Sequence, residues 1–389
     1  MKKILFYYSF SFAFGGGDHL PLSFIAALQQ MGDLTVALDV PANLERASKL
    51  FGIDVDLSGL KIVQVTPPGY APRQHSIFSS LYRSRRLKQL AKAADVCISA
   101  ANVIDFGRPA HHFMNMLAFG DDAFTAFAHS RVGQSGTARH GGVGRLLKDY
   151  MLRPLLGIRS QRSIIRDGRE HIYPNSVFVE KLMTEFYGPF NSTVFYPPTL
   201  FEARASAVVR DPLKVIYIGR IIPEKRIVEI IDIVEKTRAA TGLDVRLHVA
   251  GRMDQVPSYG EQLRGMGAGR EWLKFEGALY EREKEDFLLS GSFALHAERF
   301  EAFGISIGEY LKTGSIAVVP DEGGAKEVVA SPELTFHTVD EAVAILARLL
   351  TDAAFRERQR RHCAERALFF SREAYLERQQ RLLEGIVCP

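Results

Sequence analysis

The stretch from His296 to Gly314 places two carboxylates, Glu301 and Glu309, eight positions apart, with Phe303 and Gly304 between them. An apolar run from Phe293 to Leu295 leads in as a strand, and helical periodicity starts just after Gly304. A helix that opens from a glycine-containing loop presents unpaired backbone N–H groups to an anion. On this reading Glu301 sits on the loop and Glu309 falls in the first turn of the helix. Carboxylates beside an anion site are odd unless they bind something neutral and hydroxyl-rich, and sugars fit that description.

A second segment with chemical potential runs from Gly219 to Lys225. It follows a strand pattern and precedes a helix pattern, so Arg220 and Lys225 are expected above the strand ends, where open α/β sheets bind ligands. Two fixed cations there would stabilise the negative charge that grows on a departing diphosphate, with no metal needed. The simpler alternative is a surface loop with incidental charge. Near the N-terminus, Gly15, Gly16, Gly17 and Asp18 let backbone approach a phosphate or sugar closely. Position 20 is Leu, so this is not the dinucleotide fingerprint, and Asp39 carries little weight for NAD.

Other candidates read as structural. Asp54 and Asp56 have metal-pair spacing but precede a strand without a third ligand, which suits a solvated turn. His111 and His112 are adjacent, and neighbours in a strand point to opposite faces, so they cannot share one ion.

The elements that must hold these residues alternate. Strands are expected over Lys3–Tyr8, Leu34–Val40, Lys61–Val65, Val96–Ser99 and His112–Leu117. Helices are expected over Leu20–Met31, Ser80–Ala93 and Val177–Tyr187, the last capped by Asn175 or Ser176. The pattern restarts with a strand over Leu213–Gly219, a helix over Val228–Ala240 and a strand over Val245–Gly251, and continues to Ala317–Pro320. Such alternation implies parallel sheets covered by helices. Pro197 and Pro198 interrupt any helix or central strand, and an irregular Ala-rich stretch follows. The fold class is therefore α/β with two Rossmann-like domains facing across a cleft. Residues 1–205 form the first domain and 206–370 the second, and 371–389 form a C-terminal helix packing back toward the first.

A chain of 389 residues suits two cores rather than one. No apolar run approaches the roughly 18–20 residues that span a bilayer. The opening Lys2 and Lys3 with the apolar run to Phe14 has some likeness to a signal peptide, but a buried first strand explains it better. Three unpaired-looking cysteines, Cys97, Cys363 and Cys388, fit a reducing cytoplasm. Residues 1–205 carry 23 Lys+Arg against 16 Asp+Glu, whereas the remainder carries 26 against 29, for the formal net +4. The excess gathers around Arg83 to Lys92 and between Arg131 and Arg169. These are either solvated helix faces or faces for an anionic membrane surface or phosphate-bearing acceptor. Nucleic acid is not expected, because no recognised binding motif accompanies the charge.

Taken together, Arg220, Lys225, the Glu301–Glu309 spacing and the N-terminal glycines resemble the retaining GT-B glycosyltransferases of family 4. The stretches Leu295–Ser306 and Gly323–Val329, with Pro174–Ser176 and Tyr196–Pro198, are most similar to α-1,2-mannosyltransferases that extend lipid-linked oligosaccharides. The resemblance implies that Arg220 and Lys225 grip the donor diphosphate, with backbone of Phe303, Gly304 and Ile305 completing that site. It implies that Glu309 holds the ribose, that Glu301 contacts the transferred sugar, and that Gly251, Ala278 and Leu279 flank the base. Gly16 and Gly17 would approach the diphosphate from the other domain.

The implied reaction moves a hexose from a GDP- or UDP-sugar, mannose from GDP-mannose being favoured, to a glycan or lipid-linked acceptor. Neither cofactor nor metal is implied, and the location would be cytoplasmic or peripheral on the inner face of the membrane. One feature departs from the family: the expected histidine at a first-domain strand end is missing from Phe113 to Asp122. That departure keeps open a non-catalytic sugar-nucleotide or glycan-binding protein, or an isomerase or phosphorylase on the same scaffold.

Overall fold

The computed structural model describes residues 1–9, 16–69, 77–114, 122–131, 155–199 and 208–388. Outside them lie Gly15, residues 115–121 where the family histidine is expected, Arg139, Arg145, Lys148 and Arg153, and the boundary placed at 205/206. The chain divides into two compact units, Met1–Pro198 with Leu376–Pro389, and Thr199–Tyr375.

In the first unit, β1 (Lys2–Tyr8), β2 (Gly32–Leu38), β3 (Lys61–Gln64), β4 (Val96–Ser99), β5 (His111–Met114) and β6 (His171–Pro174) form one sheet. Its order is β3-β2-β1-β4-β5-β6 and every pairing is parallel. Ile4 to Tyr8 are all buried, as a central strand covered on both faces requires, so the opening apolar run is spent on the sheet. Helix Val177–Tyr187 is capped by Ser176, whose side chain accepts from the Val179 amide.

The second unit repeats the plan with β7 (Asp211–Ile218), β8 (Arg246–Ala250), β9 (Leu273–Gly277), β10 (Gly291–Leu295), β11 (Ile316–Pro320) and β12 (Thr335–Phe336). The order β12-β11-β10-β7-β8-β9 is again wholly parallel. Both sheets thus reverse direction once, at β1/β4 in the first unit and at β7/β10 in the second. Loops leaving the carboxyl ends of such a strand pair diverge and leave a crevice where ligands bind. The alternating α/β architecture with two parallel sheets is the fold expected. Among the described residues no helix is long and apolar enough to cross a membrane.

Candidate active site

The two segments singled out in the second unit leave the two strands of its switch point. The loop after β7 is pinned by Ile221, which is fully buried, and by the Tyr217 hydroxyl, which donates to the Arg220 carbonyl at 3.1 Å. A single 3-10 turn, Pro223–Lys225, follows, and Arg226 takes a left-handed conformation (φ 54°) before helix Ile227–Thr241. This turn carries Lys225 inward and leaves Arg220 outward. Arg220 is exposed and has no ion-pair partner among the described residues.

The loop after β10 brings the acids. Lys225 Nζ lies 2.6 Å from Glu301 Oε2 and also pairs with Glu298. His296 is buried, with Nε2 3.3 Å from Glu301 Oε2, yet neither ring nitrogen has a hydrogen-bond partner among the described residues. The Glu301 carbonyl accepts from Gly324 at 2.7 Å, which ties this loop to the one after β11. Burial alone would lift the Glu301 carboxyl, but the Lys225 ammonium, together with His296, outweighs it and holds Glu301 well below the usual range. Burial and the charge on Glu301 push Glu298 up to about 7, against the pull of Lys225. Burial lowers Lys225 too, but the two carboxylates more than reverse this, and the ammonium stays charged. His296 is lowered by burial and stands as a neutral imidazole.

His296, Glu298 and Glu301 offer ligand atoms within 4.8 Å of one another, a set that a divalent ion could use. The Lys225 ammonium already bridges the two carboxylates, so the protein supplies the cation at this point.

Helix Ile305–Lys312 opens from Gly304, whose φ of 100° strains any other residue and which serves as N-cap. Its first internal bonds run from Ile307 and Gly308 to the Gly304 carbonyl, so the amides of Ile305 and Ser306 precede the ladder. Glu309 is the fifth helical residue and lies in the second turn, not the first as expected. The helix starts directly after left-handed Gly304, as expected, and that start itself puts Glu309 beyond the first turn. Glu309 is buried and its carboxylate accepts from Lys284 at 2.7 Å. Tyr310, on the same helix, exchanges hydrogen bonds with the Ile218 amide (2.8 Å) and carbonyl (3.3 Å), which fixes the helix against the end of β7.

The turns that carry Gly251, Ala278 and Leu279 are also assembled from strand ends. The Gly251 amide donates to the Gly277 carbonyl at 2.7 Å, joining the turn after β8 to that after β9. Ala278 and Leu279 follow half-buried, and Tyr280 is exposed. His296, Glu298 and Lys284 lay within segments already quoted or close to them, but their roles depend on proximity that spacing does not display.

In the first unit, Gly16, Gly17 and Asp18 form a short 3-10 turn, and Asp18 accepts from the Tyr8 hydroxyl at 2.6 Å. Asp39 is buried and accepts from Tyr7 (3.0 Å) and Arg83 (2.8 Å), a structural role rather than a ribose contact. His111 and His112 sit at the start of β5. His111 Nδ1 meets the Tyr173 hydroxyl at 3.0 Å, and buried His112 meets Glu170 at 3.2 Å. Asp56 accepts from Ser58 in a surface turn. The basic clusters are partly spent internally: Arg83 on Asp39, Lys88 on Asp105, Arg159 on Glu170, Arg166 on the Tyr187 carbonyl, Arg169 on Asp167. On helix Ile77–Ala91 and just beyond, Phe78 (79 % exposed), Tyr82 (44 %), Arg85 and Lys92 remain outward.

Residues 201–367 match the protein family described as glycosyl transferases group 1. No curated protein matches the sequence. Among solved structures, Anabaena HepE in complex with UDP and glucose is similar at 15% identity, covering 99% of this chain and 100% of that one, with a TM-score of 0.63. WaaG, a glycosyltransferase involved in lipopolysaccharide biosynthesis, is similar at 12% identity over 99% and 100%, with a TM-score of 0.64. Sucrose-phosphate synthase from Thermosynechococcus elongatus is similar at 14% identity over 99% and 99%, with a TM-score of 0.65. At these identities the likeness establishes the fold, which is that of the GT-B class. The family match covers the second unit's residues 201–367, and the two-unit fold is the one shared with these structures.

Proposed function

We propose that this chain is a retaining glycosyltransferase that moves a hexose from a nucleotide sugar to a glycan or lipid-linked acceptor without a metal ion. The observation that carries the reading is the meeting of Lys225, Glu301 and the Gly304 helix opening at the β7/β10 switch point, with Arg220 outward beside them. Arg220, Lys225 and the amides around Phe303, Gly304 and Ile305 hold the diphosphate, Glu301 the sugar hydroxyls, and Glu309 the ribose. Gly251, Ala278 and Leu279 line the base, while Gly16 and Gly17 serve the diphosphate from the first unit. The bond from the anomeric carbon to the diphosphate breaks as the acceptor hydroxyl attacks the same face. The acceptor's proton passes to the departing diphosphate, whose charge the two cations stabilise.

The resemblance to lipid-linked oligosaccharide mannosyltransferases favours mannose from GDP-mannose. HepE, one of the similar solved structures, holds UDP, or UDP with glucose, so a UDP-hexose is the competing donor. The exposed aromatic and basic face of helix Ile77–Ala91 supports a peripheral position on an anionic membrane, with the first domain nearest the acceptor.

A thermal-shift screen against GDP-, UDP- and ADP-sugars should give one stabilising base. The stabilising donor should then release its nucleoside diphosphate only when a lipid-linked or glycan acceptor is added, and Arg220→Ala and Glu301→Ala should abolish release. Wild-type rates in either variant would remove the assignment. Binding without turnover across the acceptors would favour the non-catalytic reading, and turnover without any acceptor the isomerase.

A further inference from the structure

Glu309, placed on the ribose above, is held by a lysine to which the reaction gives no part. Tyr310 fixes the backbone of helix Ile305–Lys312 against β7, but a glutamate side chain still turns about several bonds. The Glu309 side chain is only 7% exposed, and a carboxylate buried that deeply needs a compensating partner. Lys284 supplies it: Nζ donates to Glu309 Oε1 at 2.7 Å, and the lysine is itself 31% exposed. Surface ion pairs contribute little, but here the acid is buried and the pair joins two separate helices. Helix Glu281–Ser290, which carries Lys284, opens one residue after the Ala278 and Leu279 turn placed beside the base. The Lys284 amide donates to the Tyr280 carbonyl at 3.3 Å, which sets the lysine in the first turn of that helix. One element thus leads from the base turn to the cation on the ribose acid.

A carboxylate accepts through lone pairs on both oxygens, so a bond from Lys284 to Oε1 leaves acceptor capacity for two ribose hydroxyls. Deprived of the ammonium, a buried carboxylate cannot stay charged where it is: it is neutralised or turns out to water. Either way the hydroxyls lose their acceptor, while the residues assigned to the diphosphate and the base are untouched. We propose that Lys284 is the positioning residue of the ribose subsite: it fixes the Glu309 carboxylate where the ribose hydroxyls donate to it, and so makes the site prefer ribonucleotides to 2′-deoxyribonucleotides. Lys284 acts through Glu309 and touches no reacting atom. The inference rests on the donor reading given above and names the residue that sets its sugar preference on the nucleoside side.

Isothermal titration of the full-length protein with UDP, GDP and their 2′-deoxy forms reads this preference directly. The wild type should bind one ribonucleotide roughly ten- to a hundredfold more tightly than its 2′-deoxy form, as a hydrogen bond to a charged group implies. Lys284→Met should bring the ratio down to about threefold or less by weakening the ribonucleotide alone, and Lys284→Arg, which keeps the charge, should hold it at about tenfold or more. A merely structural or long-range electrostatic role would weaken both forms alike and leave the ratio unchanged. An unchanged ratio in Lys284→Met therefore overturns the role of Lys284 and leaves the donor reading standing. Should that variant not fold, Lys284→Gln keeps a neutral hydrogen-bond donor and is expected to lower the ratio at least about threefold; no change there overturns the role equally. Glu309→Gln, alone and combined with Lys284→Met, should give one and the same ratio. A further fall in the double variant would show Lys284 reading the ribose by itself and would overturn its action through Glu309. Equal binding of both forms by the wild type removes Glu309 from the ribose, and the inference with it. If neither UDP nor GDP binds the wild type, the donor reading itself fails.

Discussion

Replacing Lys225 with methionine removes the charge at the centre of the cluster while keeping the length of its stem. The ammonium bonds Glu301 at 2.6 Å and also pairs with Glu298, and its own side chain is 12% exposed. Breaking a buried pair by deleting one partner typically costs about 3–5 kcal/mol, because the surviving charge is stranded. Here Glu298, already pushed up to about 7, can take a proton rather than stay charged. Only Glu301 is then left unpaired, which puts the expected loss at the lower end, about 3 kcal/mol. For a unit the size of Thr199–Tyr375 this lowers the melting temperature by about 6–12 °C.

The pH dependence has a definite sign. In the wild type Lys225 depresses Glu301, so this pair contributes stability above the ordinary glutamate value and loses it only as the pH falls through the depressed folded value. In the variant burial lifts the Glu301 carboxyl with only His296 left to oppose it, so it takes up a proton at higher pH than in the wild type and the defect shrinks as the pH falls. Differential scanning calorimetry at about pH 5 and about pH 8 measures both. Adding Glu301→Gln to Lys225→Met should recover stability, with a coupling of about 0.5–3 kcal/mol. A variant that melts within about 2 °C of the wild type at the higher pH, or whose defect is equal at both, refutes the reasoning.

Three further outcomes are expected. Glu298→Gln should gain stability relative to the wild type as pH rises: the raised carboxyl contributes stability below 4.5 that is lost as pH climbs through about 7. That gain is on the order of 3 kcal/mol, and urea denaturation showing a pH-independent difference would contradict it. Gly251→Ala should cost about 2–5 kcal/mol and weaken sugar-nucleotide binding, since φ is 153° there and a Cβ would overlap the Gly219 carbonyl where the Arg220 loop begins. An unchanged melting temperature would show that this close approach is not obligatory. Vesicles with anionic lipid should sediment the protein at low salt and release it at high salt, and Arg85→Glu with Lys92→Glu should abolish this. Equal recovery with neutral vesicles would remove the membrane reading.

Periodicity carried most of the framework, because buried strands and amphipathic helices announce themselves locally. Helix Val177–Tyr187 matches its expected bounds, and β4 does as well. β6 was not anticipated: it is four residues long and ends on Pro174, so it has too few positions to show a period. The site was legible as segments rather than as contacts. Lys225 and Glu301 are 76 positions apart and meet only because β7 and β10 are neighbours in the sheet. Glu298 and His296 acquire their importance from burial beside that pair, which composition does not reveal. Lys284 reaches Glu309 across 25 positions from a different helix, and no motif joins them.

Helix Arg372–Val387 begins in the second unit and ends in the first, where Gln379 donates to Ser23 at 3.1 Å. The first unit is thus assembled from two stretches separated in sequence by the whole of Thr199–Tyr375. During synthesis Met1–Pro198 emerges before Leu376–Pro389 can join it, while Thr199–Tyr375 is continuous and has all its own residues before that helix is complete. A nascent chain stalled before Leu376 would therefore hold the whole of the second unit beside a first unit lacking Leu376–Pro389.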